Sequence, residues 1–174
     1  MQTTIDPRIA RELGEFDLPA YHEIPNVGLF LEQVMKYTGE YLLPLDGVSL
    51  TASMISNYVK KGIIRNPVKK QYDREQIAAL FFIAVAKPVV SLEDIQLLLR
   101  LREETYPCDR AYEYFRQELK AALSYVSGTA DTLPAYTERN KNEKYLLRST
   151  IMTAAHKIYL EKYFRMLREG AAED

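Results

Sequence analysis

Between Thr51 and Tyr72 the chain gathers residue types suited to gripping an anionic polymer. Ser53, Asn57 and Lys60 recur at helical spacing, so one helix face presents a hydroxyl, an amide and an ammonium together. Groups of this kind hydrogen-bond to base edges, and a capped helix of about three turns fits the major groove of duplex DNA. Thr51 and Ser56 add hydroxyls to the same element, and Lys61, Lys69 and Lys70 fall where flanking phosphates would lie. Tyr58 belongs to the inward face with Ile55 and Val59, where its ring serves the core and its hydroxyl is expected to reach toward a phosphate. Tyr72 closes the set.

The charge distribution agrees with a local contact. The 174 residues carry a net charge of −1, which by itself does not suggest a nucleic-acid partner. Residues 1–50 hold three Lys/Arg against eight Asp/Glu, residues 51–76 hold six against two, and the remainder is balanced at fourteen each. One short basic block in an otherwise acidic or neutral chain is the footprint of a small element touching phosphates. Charge alone favours an ordinary solvated lysine face; charge together with the helix-and-wing pattern in which these lysines sit favours DNA.

That pattern follows from the elements. Residues 1–28, with Pro7, Pro19 and Pro25 among acids, read as an extended or loosely ordered arm. Leu29 to Tyr41 reads as a helix, and Pro44, Asp46 and Gly47 force a turn. Thr51 is a good N-cap for a helix reaching about Lys61, with Gly62 at the C′ position. Ile63-Ile64 and Val68 to Tyr72, around Arg65-Asn66-Pro67, read as the two short strands of a wing. Asp73 caps a helix that Pro88 ends, and Ser91 caps another that Pro107 breaks. A helix from Asp109 to about Val126, a linker over 128–141 and a long helix from Asn142 to about Arg168 complete the chain.

Ile55, Tyr58, Gly62 and Ile63, followed by Lys70, Tyr72 and the run Ser91-Leu92-Glu93-Asp94-Ile95, resemble the helix, wing and fourth-helix opening of MerR-like regulators. Ser56 and Asn57 depart from that pattern, which has an arginine and a tyrosine there. Leu18-Pro19, Ile24-Pro25, Leu29-Phe30, Glu32-Gln33-Val34 and Asn57-Tyr58-Val59-Lys60 are more closely similar to an uncharacterised bacterial family known only as a domain of unknown function. The resemblance implies an all-α fold with a small two-stranded wing. It divides the chain into an arm (1–28), a winged helix-turn-helix domain (29–102) and a C-terminal helical region (103–174) for dimerisation or partner binding.

The expected function is a DNA-binding transcription regulator that meets double-stranded DNA as a homodimer, because one short helix and about four cations give little affinity alone. The alternative is a protein-interaction adaptor that keeps the winged fold without DNA. No catalytic residues are expected, since phosphate-cradling glycine loops, Gly-x-Ser-x-Gly and His-Glu-x-x-His are all absent. One cysteine, Cys108, with His22 and His156 supplies no zinc set, and no cofactor is expected. Cys108 has no resolving partner and reads as an inert thiol rather than a redox sensor. The longest apolar run, Ile77 to Ala86, is too short to span a bilayer, so a cytoplasmic location is expected. Effector, operator and direction of regulation are not written in the sequence.

Overall fold

The computed structural model describes residues 5–136 and 141–171, which form seven α-helices and one two-stranded sheet. The helices are α1 (Pro7–Gly14), α2 (Leu31–Leu42), α3 (Ala52–Lys60), α4 (Arg74–Ala86), α5 (Leu92–Thr105), α6 (Cys108–Val126) and α7 (Lys141–Ala171). The strands are β1 (Leu29–Phe30) and β2 (Gln71–Tyr72), antiparallel with Leu29 opposite Tyr72 and Phe30 opposite Gln71.

α4 is the central element. Its run of apolar residues has no polar face, and Ile77, Leu80, Phe81, Ile83 and Ala84 are all fully buried. A helix apolar all round is stable in water only when other elements surround it, and α2, α6 and α7 do so. The most extensive helix pairing joins α6 to α7; Phe115, Leu119 and Ala122 of α6 and Ile151, Ala155 and Ile158 of α7 are all buried.

The N-terminal segment corrects the expectation of a loose arm. Asp6 caps α1 by accepting the Arg8 amide, and Pro7 takes the first helical position, where its missing N–H costs nothing. Ile9 and Leu13, four apart, are fully buried, as are most of Phe16, Leu18 and Ile24. The extended stretch beyond α1 is stapled to two helices. Tyr112 donates its hydroxyl to the Pro19 carbonyl at 2.8 Å, Arg116 reaches the Leu18 carbonyl and the Asp17 carboxylate, and Arg74 donates to the carbonyls of Ile24 and His22. Backbone that lacks a ladder here finds its partners in side chains.

Two basic side chains of α7 are buried against carboxylates. Glu118 on α6 accepts two 2.7 Å hydrogen bonds from the Arg148 guanidinium on α7, and the Tyr136 ring stacks 4.0 Å from that guanidinium. Lys162, whose side chain is only 2% exposed, reaches Glu12 at 2.6 Å and Asp46 at 3.0 Å, so α7 is tied to α1 and to the loop before α3. Burial alone would raise the Asp46 carboxyl, but hydrogen bonds from Arg165 and Lys162 hold it below the usual carboxylate range.

Candidate nucleic-acid interface

Local rules place α3 as the sequence predicts. The Thr51 hydroxyl accepts the Met54 amide at its start. At its end the Gly62 amide bonds the Val59 carbonyl and the Ile63 amide bonds the Tyr58 carbonyl. That pair of bonds is a Schellman motif, and Gly62 serves it at φ +70°, where a side chain would be strained.

Ser53, Ser56, Asn57 and Lys60 follow the spacing i, i+3, i+4, i+7 and so occupy one face of α3. Ser53, Ser56 and Lys60 are exposed and Asn57 is half-buried, while Ile55 and Tyr58 on the opposite side are buried. Lys61, Lys69 and Lys70 are exposed as well. Among the described residues none of these four lysines makes an ion pair or a side-chain hydrogen bond, whereas Arg65 between them is paired with Asp73.

Two members of the expected set have a different place. Tyr58 is 2% exposed and Tyr72 5%, so both rings belong to the core. The Tyr58 hydroxyl is buried without a hydrogen-bond partner among the described residues, and burial raises both phenols. Thr51 is exposed, but its hydroxyl is occupied as the cap.

The segment read as a wing also differs from its expected build. Ile63 and Ile64 do not form a strand; their amides return to the Tyr58 carbonyl. The partner of Gln71-Tyr72 is instead Leu29-Phe30, from the segment read as the start of α2. A Cβ on Gly28 would lie 2.7 Å from the Gln71 side chain, so this approach of strands requires glycine. Val68 and Gln71 exchange both backbone hydrogen bonds across a two-residue loop, Lys69-Lys70, with φ of 51° and 63°. Two adjacent central residues at positive φ are the signature of a type I′ hairpin turn, for which Asn-Gly is the usual choice. The base of the hairpin is fixed to α4, because the buried Gln76 donates to the Arg65 carbonyl and accepts from the Asp73 amide.

Directly opposed residues share a face, so Phe30, Gln71 and Val68 line the outer side of the sheet while Leu29 and Tyr72 line the inner. Phe30 is 49% and Val68 67% exposed. The sequence reading missed this apolar outer face, because its signal depends on a pairing between segments some forty residues apart in order.

Cys108 is half-buried at the start of α6, and burial pushes its thiol up, the opposite of what a reactive thiolate needs. Among the described residues no group of three or more His, Cys, Asp or Glu is placed to hold a metal ion, and no helix is long and apolar enough to cross a membrane.

A mostly helical chain with a two-stranded sheet, presenting a capped polar helix and a lysine-tipped hairpin, is thus the class that fold and site define. Residues 19–115 match the family described as Domain of unknown function (DUF1836), and the chain belongs to that family. The match takes in the segment beyond α1, the sheet, α2 to α5 and the first half of α6. No curated protein and no solved structure gives a significant match.

Proposed function

We propose that the protein is a cytoplasmic transcription regulator of MerR-like, winged helix-turn-helix type that binds duplex DNA as a homodimer. In this reading α2 and α3 form the helix-turn-helix, the outward face of α3 meets base edges, and the Lys69-Lys70 hairpin is the wing that lies against phosphates. The observation that carries it is the hairpin tip. Holding a non-glycine residue in the left-handed region costs roughly 1–2 kcal/mol, and here two successive lysines are held so, exposed and unpaired. A two-residue tip that adds no side chain to the core and keeps a strained pair of cations at a surface is best explained by what the cations touch.

Dimerisation is supported by the second half of α7. Leu160, Tyr163, Phe164 and Leu167 follow the spacing i, i+3, i+4, i+7, and each is between 39% and 53% exposed. A continuous apolar stripe of this kind is seldom left to water. The double variant Phe164→Asp, Leu167→Asp changes only exposed side chains, so its far-ultraviolet spectrum is expected to match the parent while sedimentation velocity shifts from dimer to monomer. A dimer that persists in the variant would place the interface elsewhere.

DNA binding itself is tested by salt. If the dimer neutralises about six to eight phosphates through Lys60, Lys61, Lys69 and Lys70, log K falls with log salt at a slope of about −5 to −7. The adaptor reading is favoured by one specific observation, the exposed Phe30 and Val68 on the outer face of the wing. A salt-independent or undetectable interaction with random and genomic duplexes selects the adaptor.

A further inference from the structure

Between α4, α5, α6 and the start of α7 lies a cavity of about 240 Å³, open to solvent on one side. Its walls are almost wholly apolar, formed by Phe82 from α4, Leu98 and Leu99 from α5, Phe115 from α6 and Leu147 from α7. The space exists because the facing positions Ala78, Ala79 and Ala111 carry only methyl groups. Well-packed interiors leave few voids larger than a water molecule, so an opening of this size between four helices is unusual.

The rim is charged, and unevenly. Arg102, Arg110 and Lys144 contribute to the lining, with Glu143 the one acid among the lining residues. Arg102 has only a 3.6 Å contact with the exposed Glu103, and Lys144 lies over the Tyr114 ring. Arg110 is exposed and makes no ion pair or hydrogen bond among the described residues. A guanidinium without a carboxylate beside an apolar chamber recognises a molecule that brings the carboxylate itself and buries the rest.

We infer that this cavity binds a monocarboxylate with an apolar body, of the medium-chain fatty acid class, its tail among Phe82, Leu98 and Phe115 and its carboxylate at Arg110 and Arg102. A cavity of about 150 Å³ holds benzene, so by proportion this one takes a body of about ten heavy atoms. The site lies apart from α3 and the hairpin and does not rest on the DNA reading.

Decanoate and 1-decanol, both kept below the concentration at which they aggregate, separate the two parts of the claim. In calorimetric titration of the full chain, decanoate is expected to saturate one site, with 1-decanol binding about tenfold more weakly for lack of the charge-assisted bond. Arg110→Gln is expected to weaken decanoate about tenfold and leave 1-decanol unchanged. Decanoate should also slow alkylation of Cys108 by a maleimide, since that residue lines the cavity. Ala111→Leu fills the chamber and abolishes binding of both probes. Absence of decanoate binding at millimolar concentration overturns the inference. So does decanoate binding that survives in an Ala111→Leu protein of normal melting behaviour, or equal affinity for the two probes. Should Ala111→Leu not fold, Arg110→Gln, whose exposed side chain has no structural partner, decides the question alone.

Discussion

Glu118→Ala is expected to lower the unfolding free energy by about 3–5 kcal/mol, the usual cost of stranding a buried charge. The Glu118 side chain is 6% exposed and that of Arg148 11%, so water does not replace the lost carboxylate. Both carboxylate oxygens are engaged, at 2.7 Å each, and this bidentate fork is the strongest geometry open to the pair. The Tyr136 ring covers the guanidinium from the side and makes rehydration harder still. Equilibrium denaturation in urea measures the loss, and for a chain of this length it corresponds to a fall in Tm of roughly 10 °C. The paired variant Glu118→Leu, Arg148→Met removes both charges together and should recover most of the stability. A loss below about 1 kcal/mol in Glu118→Ala would mean that the pair is screened as a surface pair is.

Replacing Lys69-Lys70 by Asn-Gly is expected to move stability and DNA affinity in opposite directions. Both residues sit at positive φ in a two-residue hairpin, the backbone that Asn-Gly adopts without strain. Relief of that strain should add about 1–2 kcal/mol to the unfolding free energy. Four phosphate contacts disappear from the proposed dimer, so the salt slope should become shallower by about 3 to 4. The two readouts guard each other: a weaker DNA complex from a more stable protein cannot be an effect of unfolding. Unchanged slope in the stabilised variant removes the hairpin from the binding surface and returns Lys69 and Lys70 to ordinary solvated charge.

Local chemistry in this chain is legible residue by residue, while the meeting of distant segments is not. Thr51, Asp73 and Ser91 each accept an amide three residues on, Gly62 takes the left-handed position, and Pro88 and Pro107 follow the ends of α4 and α5. All of these depend on neighbours within four residues. The pairing of Leu29-Phe30 with Gln71-Tyr72 depends on a tertiary fold that delivers two dipeptides to one another, and dipeptides carry no periodicity. The helix α1 was concealed differently. Prolines at Pro7, Pro19 and Pro25 suggest a broken arm, yet Asp6-Pro7 is a start signal and Ile9 with Leu13 a buried pair one turn apart. The site divides the same way: outward and inward faces of α3 follow from spacing, while the burial of Tyr72 follows from tertiary packing and the positive φ at Lys69 and Lys70 from the two-residue closure between Val68 and Gln71.

Lys162 joins residues that leave the ribosome far apart in time. Glu12 and Asp46 are made before Lys162, and the ammonium they share comes from α7. The same helix brings Ile151, Ala154, Ala155 and Ile158 to the core. At roughly 5–20 residues per second, a nascent chain waits several seconds between completing α4 at Ala86 and adding Lys162, with that central apolar helix only partly covered. During translation the α3 and hairpin segment is therefore complete before the framework that holds it is closed, and the interval is the period in which the unfinished chain is exposed to chaperones and to premature association.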